Sequence, residues 1–412
     1  MLIKNIACLV NVREENTLLR GKALSGLPCI KDACLIVEAG KIKGYGKMRE
    51  LPALTAHHSP LTVIDANGAY ILPCWCDSHT HLVFAASREA EFIDKIKGLS
   101  YTGIAAKGGG ILNSAEELGR MSESALFDAA LQRLHEVMKL GTGAIEIKSG
   151  YGLSVEAELK MLRVIQRLKA LDLIPVKATF LGAHAYPLEY KNDHAGYIRL
   201  IIDEMLPNIA RENLADFIDV FCEQGFFSAE ETKRICEAGI RYGLQPKLHV
   251  NQLSSIGGIE AAIELNALSA DHLETMNETE INMLAGSNII ATLLPTAAYF
   301  LRMRYPPARK LIDAGAIVAL ASDYNPGSSP SGNMNTVVSM ACIQMRMLPE
   351  EAIHAATIHG AYAMQVQEEA GSITAGKKAN LIFTRPMPSL AYLPYSFGNN
   401  LIDKVMINGK FV

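Results

Sequence analysis

The sequence lacks what membrane, nucleic-acid-binding and disulfide-stapled proteins need. Its longest apolar stretch, Ile289–Leu301, is broken by Pro295 and Thr296. It falls short of the roughly 20 residues that cross a bilayer, so no membrane span is expected. Basic residues are not in excess, with 39 Lys and Arg against 43 Asp and Glu and a net charge of −4. Nucleic-acid binding usually leaves a basic surplus, so a small-molecule partner is expected instead. The eight cysteines (Cys8, Cys29, Cys34, Cys74, Cys76, Cys222, Cys236 and Cys342) form no C-x-x-C pair, which favours reduced, mostly buried thiols over a disulfide framework. Cys74 and Cys76 flank Trp75 at alternating spacing and read better as packed strand residues than as a metal pair. Met1–Ile6 carries one lysine and no long apolar run, so no secretory signal is expected and a cytoplasmic location is. Proline is sparse, 17 against 32 glycines, while hydrophobic residues make up 49% and charged ones 20%. Disorder, collagen and coiled coil are thereby excluded as the dominant state.

What is present is enough chain, 412 residues, for one large barrel and a smaller companion. Short β-rich pieces such as Cys34–Glu38 and Leu61–Asp65 fill the start, and Leu381–Thr384 and Lys404–Phe411, with an Asn408-Gly409 turn, fill the end. Termini of compact folds often lie close together, so both ends are expected to share one small sheet. Between them, apolar runs alternate with amphipathic segments. The runs are Ala69–Pro73 continuing to Asp77, Gly143–Ile147, Val176–Leu181, Phe217–Cys222, Lys247–Val250, Ala267–Ala270, Ile289–Leu294 and Ala316–Ala321. Ser154 and Ser228 are expected N-caps of the helices over 154–171 and 229–242. Strand then helix, eight times, predicts an α/β fold with a parallel (β/α)8 barrel. The expected division is 1–68, 69–370 for the barrel, and 371–412.

Barrels of this kind place chemistry at the C-terminal ends of their strands. His79 and His81 follow the first run, and residues two apart in extended chain share a face. His249 ends the fifth run, His272 the sixth and Asp323 the eighth. One histidine alone would be a hydrogen-bonded core residue. Five such groups at one rim point to a metal site. Imidazoles with a carboxylate suit one borderline divalent ion, Zn or Fe, rather than Mg or Ca. Such an ion makes hydroxide available at neutral pH, which points to hydrolysis.

These motifs resemble the amidohydrolase superfamily, and within it the imidazolonepropionase family. The likeness rests on Asp77–Phe84, Ser87-Arg88-Glu89, Lys107-Gly-Gly-Gly110, Glu146–Gly152, Phe180–His184, Ser322–Ser328 and Tyr395–Asn399, spread along nearly the whole chain. It implies a small β-sandwich from both termini beside the barrel, and opening of the 4-imidazolone-5-propanoate ring to N-formimidoyl-L-glutamate in histidine degradation. It implies His79, His81, His249 and Asp323 as metal ligands and His272 as a catalytic group. Substrate contacts fall on Arg88, Tyr151, His184, Asn325, Gly327 and Ser328, and a homodimer is expected.

Arg88 also suits a carboxylate on chemical grounds, because a guanidinium forks onto it and stays charged. Tyr151 sits between Gly150 and Gly152, which allow close backbone approach to a ligand. Gln252 takes a catalytic position where family members carry Glu or Gln, and an amide can orient a substrate but cannot carry a proton. Asn113–Glu116 departs from the family's Ser/Thr-rich stretch. The fourth run ends in Cys222-Glu223 without a lysine to bridge two ions, so one ion is expected, with Glu223 either a ligand or a contact to a substrate ring nitrogen. Two alternatives stay open: another deaminase or cyclic-amide hydrolase of the superfamily, and a non-catalytic assembly protein on the same fold.

Overall fold

The structure, a computed structural model, describes residues 1–55, 61–99 and 110–412. Eight strands run parallel in chain order: Trp75–Asp77, Thr142–Lys148, Val176–Ala183, Phe217–Cys222, Gln245–Val250, Ser269–His272, Ile290–Leu293 and Ile317–Leu320. All residues of the second, fourth, sixth, seventh and eighth are buried, as expected where helices cover a parallel sheet. The first and eighth strands meet just beyond their ends. Thr80 bridges Tyr324 in parallel, His81 N–H donates to Tyr324 O (2.9 Å) and Asp323 N–H donates to His79 O (3.0 Å). The barrel therefore closes through the segments that carry three of the candidate ligands.

The helical segments start as the sequence predicts. Ser154 accepts from the Ala157 amide ahead of Val155–Ala170, and Ser228 forms a capping box with Glu231 ahead of Ala229–Arg241. Lys107–Gly109 of the glycine motif lie outside the described residues, and Asn113–Glu116 fall in the helix Ile111–Arg120. Among the described residues no helix is long and apolar enough to cross a membrane.

A second, eight-stranded sheet joins both termini. Leu2–Val10 pairs with Cys29–Glu38, Val63–Asp65 and Tyr70–Pro73, and Tyr70–Pro73 pairs in turn with Leu381–Thr384. The stretch expected as one strand over 69–77 thus divides in two. Tyr70–Pro73 belongs to the terminal sheet and Trp75–Asp77 to the barrel, and the chain crosses at Cys74, whose amide bonds Asn380 O (3.0 Å). The sixth strand also runs two residues past its expected end, which places His272 on the strand itself. All eight cysteines are free. Cys29 is exposed and Cys342 half-buried, and the other six are buried. Cys74 and Cys76 pack in core clusters.

Helix packing onto the first strand leaves no room at Gly360, where a Cβ would lie 2.2 Å from Cys76 O. Gly119, exposed in its helix, has nothing within 4 Å. Gly360→Ala is expected to destabilise by about 1–3 kcal/mol through overpacking. Gly119→Ala is expected to stabilise by up to about 1 kcal/mol through helix propensity. Denaturant titration of both variants checks the contrast.

Candidate metal centre and substrate cavity

His79, His81, His249, His272 and Asp323 come together at the C-terminal rim. Donor atoms of His79, His81 and His249 lie within 4.8 Å of one another, as do those of His79, His272 and Asp323. Asp323 Oδ1 is 3.5 Å from His79 Nε2 and 3.6 Å from His81 Nε2. The backbone is strained where two of these groups are presented, with φ of 85° at His272 and 52° at Asp323. Side-chain residues adopt such values mainly where the surrounding structure enforces them, commonly at functional sites.

The donor set fits a borderline divalent cation. His79 Nδ1 lies 2.7 Å from Asp271 Oδ2, so its Nε2, buried and without a hydrogen-bond partner among the described residues, faces the centre. His249 Nδ1 lies 2.8 Å from Asp219 Oδ2 in the same arrangement. Carboxylates behind imidazoles fix the tautomer whose other nitrogen binds metal. Burial, then the neighbouring cationic and imidazole groups, holds His79, His81 and His249 well below the usual histidine range. They stay neutral, the ligating form. His272 differs: burial opposes its charge but Glu274, 3.4 Å away, and Asp323 outweigh that, raising it to about 9. Burial pushes the Asp323 carboxyl up to about 6 against the pull of His272.

Beneath this rim lies a wholly buried ionic cluster. Lys148 Nζ is 2.7 Å from Glu146 Oε1 and 2.8 Å from Asp219 Oδ2. Lys247 donates to the other Glu146 oxygen and to Ser78 O (3.1 Å), one residue before His79. Each of the five charged members, Asp271 included, has about 0–1% exposure. Sequence reading missed them. The available signal was a pair of ionisable residues two apart on strands that should be wholly apolar, Glu146 and Lys148 on the second and Lys247 and His249 on the fifth.

A cavity of about 650 Å³ is lined by Arg88, Tyr151, His184, Gln252, Asn325, Gly327 and Ser328 among others. It therefore gathers the six residues that the resemblance assigns to substrate contact together with Gln252, but not Glu223, with Phe221, Phe226 and Phe300 as apolar wall. The Arg88 guanidinium is set by Glu91, three residues on, through Nε (2.9 Å) and Nη2 (2.6 Å), and Glu91 also accepts from the Gly110 amide (2.8 Å). A Cβ on Gly327 would lie 2.3 Å from Arg88 Nη1, so only glycine lets the guanidinium rest there. Tyr151 rides on a turn whose amides, from Gly150, Gly152 and Leu153, all donate to buried Glu158. His184 pairs its Nδ1 with Gly150 O (3.0 Å) and stacks on His81 at 5.4 Å. Burial lowers it to about 4.

The Asn325 amide is spent inside its own loop, donating to Asp323 O (2.6 Å) and Ser328 Oγ (2.7 Å) and accepting from the Gly327 and Ser328 amides (both 2.8 Å). Glu223 directs both oxygens at the loop after Gln252, accepting from the Leu253 and Ser254 amides (both 2.9 Å) and Ser254 Oγ (2.7 Å). Glu223 thus braces this loop and is not part of either metal-competent group among the described residues.

An amidohydrolase family model matches residues 70–412. Along the full chain, the sequence is 54% identical to the imidazolonepropionase of Christiangramia forsetii over 413 residues, covering 100% of each chain. It is 55% identical to that of Flavobacterium johnsoniae, covering 100% of this chain and 99% of the relative. Two solved structures share the fold at low identity. Guanine deaminase of E. coli has a TM-score of 0.75 at 14% identity, covering 100% of this chain and 98% of its own. An adenosine deaminase of Xanthomonas campestris with bound zinc has a TM-score of 0.70 at 16% identity, covering 100% and 92%. With a barrel closed through its own site, a histidine-rich centre and relatives matched from end to end, this chain belongs to the amidohydrolase family and, within it, to the imidazolonepropionases.

Proposed function

We propose that the chain hydrolyses the cyclic amide of 4-imidazolone-5-propanoate to N-formimidoyl-L-glutamate, the ring-opening step of histidine degradation. The observation that carries this reading is one cavity lined by an arginine suited to a carboxylate and by residues that touch the cluster of His79, His81, His249 and Asp323, since His184 stacks on His81 at 5.4 Å and Ser328 Oγ donates to Asp323 Oδ2 (3.2 Å). These four would hold one divalent ion, zinc or iron, which when bound acts as a Lewis acid toward the ring carbonyl and makes hydroxide available from water at neutral pH. Homodimerisation and a cytoplasmic location belong to the same reading, the first resting on the family likeness and the second on the N-terminal residues, which carry no long apolar run.

Each step falls to a named group. Arg88, already aligned by Glu91, receives the propionate on its remaining donors against Gly327. Tyr151 and His184 flank the ring. Gln252, on the loop that Glu223 holds, orients it without carrying a proton. Asp323 takes a proton from the attacking water as the C–O bond forms, and passes it to the ring nitrogen as the C–N bond breaks. His272, kept protonated by Glu274 and Asp323, donates a hydrogen bond to the oxyanion that develops on the carbonyl, an interaction worth about 10²–10³ in rate for one well-placed donor. Holding both ends of the substrate makes attack effectively intramolecular.

Purified protein incubated with 4-imidazolone-5-propanoate should consume the ring absorbance and yield N-formimidoyl-L-glutamate. A metal-replete preparation that leaves the absorbance unchanged would remove this substrate in favour of another heterocycle. Asp323→Asn should lower kcat by at least about 10²-fold, and steady-state kinetics returning the wild-type kcat would take Asp323 out of the proton path. Gly327→Ala should displace Arg88 and raise KM by about 10-fold or more, the scale of one charge-assisted hydrogen bond, while kcat changes less. Equal losses in both constants would argue against a carboxylate-anchoring role.

A further inference from the structure

We propose that Lys148 is the positioning residue that sets two metal-ligating imidazoles, His79 and His249, at once. Its ammonium is wholly buried on the second barrel strand, 2.8 Å from Asp219 Oδ2 and 3.6 Å from Asp271 Oδ2. These are the same two oxygens that meet the imidazoles: Asp219 Oδ2 lies 2.8 Å from His249 Nδ1, and Asp271 Oδ2 lies 2.7 Å from His79 Nδ1.

The donor inventory fixes the direction of each bond. A lysine ammonium only donates. Asp219 receives Lys148 on Oδ2 and the His249 amide on Oδ1 (3.0 Å), so toward the imidazole it acts as acceptor, and His249 donates from Nδ1 and turns Nε2 to the centre. Asp271 is held from its other side by Ser269 Oγ (2.6 Å) and treats His79 in the same way. His79 follows the first strand and His249 lies on the fifth, and these strands are not neighbours in the barrel. One cation thus links ligands that no backbone ladder connects. Lys148 is itself anchored by Glu146, whose oxygens also take Thr179 Oγ1 (2.6 Å) and Lys247. Two ammoniums against three carboxylates leave the cluster one negative charge in excess, so removing Lys148 also leaves Asp219 and Asp271 facing each other without a shared cation. The proposal rests on the reading of His79 and His249 as ligands and adds that their geometry is set in common.

The test uses metal-depleted full-length protein and two readouts besides turnover: zinc affinity by competition with a chromophoric chelator, and the visible spectrum of the cobalt-loaded protein. Lys148→Met keeps the length of the side chain and removes its charge. It is expected to lower zinc affinity by about 10–100-fold and to alter the cobalt bands. The loss in Lys148→Met combined with Asp219→Asn should be smaller than the product of the single losses, because both act on one network. Wild-type zinc affinity with an unchanged cobalt spectrum in folded Lys148→Met overturns the proposal. Should that variant fail to fold, Lys148→Arg keeps the charge but moves it and is read in the same assays, where an altered spectrum is expected and wild-type values again overturn the proposal. His249→Ala separates the two levels. If it keeps wild-type affinity, the ligand reading itself falls; if it loses zinc while Lys148→Met does not, only the role given to Lys148 falls.

Discussion

A charge inside a barrel has no water to turn to, so the protein must supply every partner it needs. This requirement organises the structure from the centre outward. Glu146, Asp219 and Asp271 share the ammoniums of Lys148 and Lys247, and what those carboxylates have left to accept is given to His79 and His249. Such a network does little for stability in itself, because desolvation offsets most of the attraction. Its consequence is direction. Each imidazole is held with one nitrogen engaged below and the other facing the rim.

The same logic recurs around the cavity with backbone amides in place of cations. Asp77 on the first strand takes the Ser322 amide (2.9 Å) and so seats the segment before Asp323. Glu158 gathers three amides of the turn that carries Tyr151, Glu223 two amides of the loop after Gln252, and Glu91 the Gly110 amide together with Arg88. Loops that would otherwise lose their shape are pinned by buried carboxylates, which supports the fixed placement that rate enhancement by positioning requires. Barrel closure belongs to the same design. The hydrogen bonds joining the first and eighth strands involve His79, His81 and Asp323, so closing the sheet and assembling the centre are one event.

Much of this was legible in the sequence. Alternating apolar runs and amphipathic segments gave eight strands in the right order, and the strand-end rule picked out His79, His81, His249, His272 and Asp323, which the structure brings together. What stayed hidden was the support. Glu146, Lys148, Asp219, Lys247 and Asp271 stand on four different strands, and nothing local says that these five residues meet at one depth of a barrel. Glu223 shows the converse: its position at a strand end suggested ligand or substrate contact, and what the structure adds is its hold on a loop thirty residues on.

The sequence by itself determined the strand order and which residue types stand at the rim, because hydrophobic period and strand-end position are local properties of the chain. Only the tertiary structure decided which nitrogen of each histidine faces the centre, where the chain leaves one sheet for the other at Cys74, and how the buried charges are neutralised. Those outcomes depend on partners tens to hundreds of residues apart, from 30 for His249 and Asp219 to 192 for His79 and Asp271, that meet only once the barrel has closed, and in a water-excluded interior it is those partners that set the direction of these hydrogen bonds.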